Sequence, residues 1–124
     1  PCSATGTIRR HPDVAWTKSP EDRDKLVALQ ARLLEAAARL TKPGGRLVYC
    51  TCSLEPQEGE AQIEAFLKAH PDFVRKPVEP ADIGGLTEAI DRNGDLRTLP
   101  HQLRNETPRL SGWSGFYATR LIRL

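Results

Sequence analysis

A chain of 124 residues with 39% hydrophobic and 27% charged side chains has the size and composition of one globular domain, and none of its apolar runs approaches the ~20 residues a membrane helix needs. Net charge is only +2, and residues 1–62 and 63–124 each carry nine Lys or Arg against eight Asp or Glu, which excludes a dominating basic block. Three cysteines, an odd number with Cys50 and Cys52 two positions apart, argue against a disulfide framework and for a reducing, cytoplasmic setting.

Residues 1–20 mix Gly, Pro, Ser, Thr and charge without periodicity and read as a long loop with one turn of helix near Thr7 to His11. Ser19 before Pro20, with Glu21 and Asp22 following, predicts a helix start, and Leu26, Leu29, Leu33, Leu34, Ala37 and Leu40 recur at helical spacing as one apolar stripe. Lys42-Pro43-Gly44-Gly45 ends that helix, after which Arg46 to Cys50 reads as a short buried strand. Pro56 opens a second helix through about Ala69, with Glu58 and Glu60 in its first turn and Ile63, Phe66 and Leu67 on its apolar side. Phe73 to Val78 reads as a strand, Ala81 to Gly94 as a polar surface excursion, Leu96 to Leu99 as a short strand, and residues 115–122 as the strand that completes a sheet. The order helix, strand, helix, strand and two closing strands predicts an open α/β sheet with helices on its faces. Ligands in such sheets bind beyond the C-terminal ends of the parallel strands.

Two cysteines stand in similar short contexts, Pro1-Cys2-Ser3-Ala4-Thr5-Gly6 and Val48-Tyr49-Cys50-Thr51-Cys52-Ser53. Cys52 falls just past a strand end, and Cys2 would hold the equivalent place if a strand preceded Pro1. A thiol ahead of a helix N-terminus feels unsatisfied N–H groups that favour thiolate, so Cys52 is expected to ionise readily. Cys50, inside the strand, reads as a buried small apolar residue. No second ligand pair is spaced to join Cys50 and Cys52 in a metal site, and none is expected. Arg9, Arg10 and His11 follow Cys2 closely enough to clamp RNA phosphates. The segment after residue 96 holds Arg97, Arg104, Arg109, Arg120 and Arg123 against Glu106 alone, a candidate phosphate-facing patch. Trp16, Trp113 and Phe116 could stack on bases, although single aromatics more often fill core or anchor loops.

The Pro-Cys-Ser-Ala-Thr-Gly-Thr-Ile-Arg-Arg-His-Pro-Asp run from Pro1 to Asp13, taken with Lys-Pro-Gly-Gly-Arg-Leu-Val-Tyr-Cys-Thr-Cys-Ser from Lys42 to Ser53, resembles the RNA cytosine-5 methyltransferases of the Nop/Nol/Sun family, in particular the bacterial Sun/Fmu (RsmB) branch. The resemblance covers essentially the whole chain. It implies the C-terminal half of a Rossmann-like, S-adenosylmethionine-dependent catalytic domain: an open, mostly parallel sheet, helices on both faces and an antiparallel closing strand. By motif match Cys52 would be the nucleophile that adds to C6 of cytosine and Cys2 the thiol that assists product release. The substrate would be RNA, expected to be ribosomal, and the setting cytoplasmic.

Several features depart from the family pattern. The acidic residue that precedes the first motif in the family is absent here, no Gly-rich cofactor loop is present, and Gln57 and Gly59 stand where Glu and Asn are common. A chain that begins at Pro1 inside a motif and holds no methionine reads as a piece covering residues 1–124 of a partial catalytic domain, without the cofactor-binding half. Alone it is expected to be inactive, with no confident cofactor-binding residue, and to self-associate through an unpaired sheet edge. Two alternatives stay open: a transfer-RNA methyltransferase of the same family, and a small thiol-dependent or RNA-binding module that works alone.

Overall fold

The computed structural model describes residues 1–124. A one-turn helix α1 (Val14–Thr17) precedes the long helix α2 (Pro20–Leu40), and strand β1 (Arg46–Thr51) follows. Next come helix α3 (Glu60–Ala69), strands β2 (Phe73–Arg75) and β3 (Leu96–Thr98), and the closing strand β4 (Phe116–Arg123). Ser19 caps α2 in a capping box: its hydroxyl accepts from Asp22 N while the Asp22 carboxylate accepts from Ser19 N. At the other end of α2, Arg123 donates to the carbonyls of Thr41 at 2.7 Å and Ala38 at 3.3 Å.

The sheet is organised by its last strand. β1 pairs along one edge of β4, from Arg46 opposite Ile122 to Thr51 opposite Tyr117. β2 and β3 lie end to end along the other edge, opposite residues 121–123 and 116–118. All of these ladders are antiparallel, so β1 and β2 run in the same direction with the closing strand between them. The expected α/β class and antiparallel closing strand are present, but none of the expected parallel pairings is formed: β1, β2 and β3 share one direction and each pairs only with β4.

Alternation in β4 buries Tyr117, Thr119 and Leu121 on one face. Against that face pack Leu34 and Ala38 of α2, Ile63 and Phe66 of α3, and Phe73, with Leu47, Tyr49 and Leu67 at the margin. Both long helices therefore cover the same face of these four strands.

Three expectations need correction. The α2 stripe is only partly covered, since Leu33 is 49% and Leu40 87% exposed while Gln30, Leu34 and Ala38 are buried. α2 turns the remainder of its stripe toward the unpaired edge of β1, where Leu33, Leu34 and Ala37 line a groove with Leu47, Val48 and Cys50. The expected strand from Phe73 to Val78 stops at Arg75, three residues short, because Pro77 has no N–H for a ladder. The second helix does not run unbroken from Pro56. A single 3-10 turn at Pro56–Glu58 is followed by Gly59 at φ −121°, ψ −103°, and α3 starts at Glu60. Arg97 and Tyr117 press on this break so closely that a Cβ at Gly59 would stand 2.7 Å from Arg97 Nη2 and 3.2 Å from the Tyr117 ring.

Candidate active site

Two loops meet beyond the C-terminal end of β1. One runs from Cys2 into a 3-10 turn at Thr5–Thr7, and the other runs from Cys52 to Glu55. Backbone bonds zip them together: Gly6 N donates to Cys52 O at 2.9 Å and Gly115 N donates to Gly6 O at 2.7 Å. A Cβ on Gly6 would sit 2.1 Å from Gly115 O and 2.5 Å from Cys52 O, so only glycine admits this approach. Thr5 Oγ1 accepts from Leu54 N at 2.9 Å. Ala4 takes up the left-handed conformation at φ 58°, local strain of order 1–2 kcal/mol placed two residues after Cys2.

These contacts bring the two sulfurs together. Cys2 Sγ lies 3.0 Å from Cys52 Sγ, and both side chains are half-buried. The pair shares its protons unequally. Burial pushes Cys2 up, but hydrogen bonds from the Cys52 thiol, the Thr51 hydroxyl and backbone amides outweigh it and hold the group below the ordinary thiol value. Burial and the adjoining Cys2 sulfur push Cys52 up to about 11. Two thiolates in contact repel, so the pair gives up its protons in two separated steps, with Cys2 favoured to ionise before Cys52.

The expected ionisation of Cys52 by a helix N-terminus is therefore corrected. The α-helix that follows it begins only at Glu60, and burial together with the neighbouring Cys2 sulfur raises the thiol. Cys50 is corrected as well: it is exposed, because β1 lies at the open edge of the sheet and Cys50 borders the groove there, outside the core.

Beneath the sulfurs lies a buried polar layer. Glu58, with no exposed surface, accepts from Ser3 N at 2.8 Å, from Gln30 Nε2 at 2.9 Å, from Ser53 Oγ at 2.5 Å and from Ser3 Oγ. Burial would raise its carboxyl, yet these bonds hold it below the usual range. Arg97 forks onto Glu60 at 2.7 and 2.8 Å, donates to Ser53 O at 2.7 Å, and lies 4.9 Å from the Tyr117 ring centre.

The phosphate-facing patch is accordingly not assembled. Arg97 is buried, Arg120 pairs with Asp82, and Arg123 pairs with Asp72 while capping α2. Arg9, Arg10 and His11 are exposed on the loop that continues from Cys2, and Arg9 Nη2 donates to Ser111 O at 3.0 Å. Trp16 stands 89% exposed and fills no core, whereas Trp113 is partly covered and donates to Gln102.

Sequence reasoning brought Cys2 and Cys52 together but missed Ser3, Ser53, Gln30, Glu58 and Arg97 as supports. The repeated Cys-Ser dipeptide was the available signal for the two serines. Glu58 looked like any acid at a helix start.

A family description, 16S rRNA methyltransferase RsmB/F, matches residues 1–121. The chain belongs to this family. It is 50% identical over 99 residues to the ribosomal RNA small subunit methyltransferase B of Thermus thermophilus, covering 77% of this chain and 25% of that protein. The protein of the same name from Pectobacterium atrosepticum is 45% identical over 123 residues, covering 99% of this chain and 24% of its own length. A solved methyltransferase homolog from Pyrococcus horikoshii superposes with a TM-score of 0.64 at 28% identity, over 100% of this chain and 37% of that one. The RsmB/F chain described here thus spans about a quarter of the length of the curated relatives it matches. None of its helices is long and apolar enough to cross a membrane.

Proposed function

We propose that this RsmB/F chain is the thiol-bearing part of an RNA methyltransferase that modifies C5 of cytosine in small-subunit ribosomal RNA, in the cytoplasm, with S-adenosylmethionine as methyl donor. The observation that carries the reading is the 3.0 Å approach of Cys2 and Cys52, two sulfurs delivered by separate loops to the open end of β1. The family match and the names of the curated relatives support RNA, ribosomal in particular, as the substrate class.

C5 of cytosine is a weak nucleophile, and a thiolate added at C6 breaks the ring conjugation and makes C5 enamine-like. Cys52 is the adding sulfur. With Cys2 ionised, the Cys52 proton passes to the Cys2 sulfur 3.0 Å away, the Cys52 sulfur bonds to C6, and electron density moves to C5. After C5 has been alkylated its proton leaves, the C6–S bond breaks with the electron pair returning to Cys52, and the ring double bond is restored. Cys2 assists this elimination: the proton it took from Cys52 passes to solvent, and the regenerated Cys2 sulfur accepts the proton that leaves C5. Arg9, Arg10 and His11, exposed beside the Cys2 loop, are positioned to meet RNA phosphates.

The residues present do not fit S-adenosylmethionine. The groove beside β1 is lined mainly by Leu33, Leu34, Ala37, Leu47 and Val48, no carboxylate faces it, and its walls include no glycine-rich strand-to-helix turn. This groove is therefore not assigned as the donor pocket.

The test is adduct formation between RNA carrying 5-azacytidine and a protein that contains this chain at the length of its curated relatives. A covalent complex is expected with the parent sequence and with Cys2→Ala, and none with Cys52→Ala. An adduct retained in Cys52→Ala and lost in Cys2→Ala would overturn the assignment of the nucleophile. No adduct in any of them would overturn the reading itself.

A further inference from the structure

Ser3 and Ser53 occupy the same place in their two motifs, one residue after Cys2 and one after Cys52, and both hydroxyls donate to Oε2 of Glu58. The other carboxylate oxygen accepts from Ser3 N and from Gln30 Nε2, and Gln30 Nε2 also donates to Pro1 O at 2.9 Å. Ser3, Ser53 and Glu58 are at most 2% exposed, and no Lys or Arg pairs with the carboxylate. A buried carboxylate without a counter-ion is costly, and here two segments fifty residues apart converge on it.

We propose that Glu58 is a positioning residue whose carboxylate, as joint acceptor for Ser3 and Ser53, fixes the approach of the Cys2 and Cys52 sulfurs. The inference rests on the reading of these two cysteines as a working pair. A carboxylate suits the task because it presents acceptors only. Two hydroxyls can point at one of its oxygens, while Ser53 Oγ remains free to accept from Glu55 N at 3.0 Å. An amide at position 58 has the same shape but turns either its NH2 group toward the two hydroxyls or its carbonyl away from Ser3 N and Gln30. Either arrangement loosens one loop against the other. The Arg97 bond to Ser53 O holds the backbone of one loop, and the carboxylate joins that loop to its neighbour.

The effective concentration of Cys2 and Cys52 toward each other tests this without RNA. In the 124-residue chain carrying Cys50→Ser, the equilibrium is read against glutathione: the protein dithiol and one glutathione disulfide give the protein disulfide and two glutathione thiols. Glu58→Gln is expected to lower the effective concentration at least tenfold, and Ser3→Ala and Ser53→Ala are expected to lower it in the same direction. Phe73→Leu, a core change at β2 away from both loops, should leave it within twofold. A folded Glu58→Gln within twofold of its parent would overturn the proposal, as would an equal drop in Phe73→Leu. Should Glu58→Gln unfold, as judged by far-UV circular dichroism, the two serine variants decide by the same criterion. Because no RNA is present, a failed latch leaves the adduct result standing, and a failed adduct leaves the thiol equilibrium standing.

Discussion

Replacing Arg97 by Met keeps most of the aliphatic stem and removes the guanidinium, which leaves Ser53 O and the Glu60 carboxylate without their donor. Removing one partner of a buried ion pair costs about 3–5 kcal/mol. The Arg97 side chain is 10% exposed but that of Glu60 is 26% exposed, so water can partly replace the lost bonds, and the lower end, about 3 kcal/mol, applies. With a urea slope of about 2 kcal/mol/M, the midpoint of unfolding should fall by roughly 1.5 M with the slope unchanged. The sign of the pH dependence follows from Glu60. Burial alone would raise its carboxyl, but the Arg97 bonds hold it below the usual value. The stabilisation is therefore complete above the unfolded carboxyl pKa of about 4.3 and is lost as pH falls through the lower folded value. Urea titrations followed by tryptophan fluorescence at pH 7 and near pH 3 should show the Arg97→Met deficit shrinking in acid. A midpoint shift below about 0.3 M at pH 7, or a deficit that does not change with pH, would refute this account of Arg97.

Two further outcomes follow from the site and the sheet. In Cys2→Ala the neighbouring sulfur that pushes Cys52 up is gone, so the pH at which Cys52 reaches half its maximal rate with iodoacetamide should fall by about one unit, read by peptide mass spectrometry; an unchanged profile would remove the coupling between the sulfurs. The free edge of β1, with Val48 55% exposed, should pair with a second copy of the chain, and Val48→Lys should weaken that association; light scattering that shows a monomer at high concentration for the parent sequence would contradict it.

The helices and strands were legible wherever the signal is local. The capping box at Ser19 and Asp22, the Pro-Gly-Gly stop, and the two-residue alternation of Phe116 to Arg123 each depend on neighbours within a few positions. Contacts from far along the chain could not be seen. Arg97 looked like a surface cation because its partners Glu60 and Ser53 lie 37 and 44 positions away. The side chains that crowd Gly59, those of Arg97 and Tyr117, likewise come from far along the chain. Cys50 read as buried because a hydrophobic strand was taken to have neighbours on both sides, whereas β1 has one. The sulfur pair was legible through the matching motifs, and its supporting carboxylate was hidden because an acid at the start of a helix needs no partner to be plausible.

The dependence of every ladder on β4 governs when the molecule can take shape. β1, β2 and β3 make no pairing with one another, so each remains without its partner until residues 116–123 have left the ribosomal tunnel. During translation α2 can coil early, since its bonds are local, but the sulfur of Cys52 reaches its lasting position only after the C-terminal strand has threaded between its neighbours. Assembly of the chemistry carried by Cys2 and Cys52 thus waits on residues 116–123.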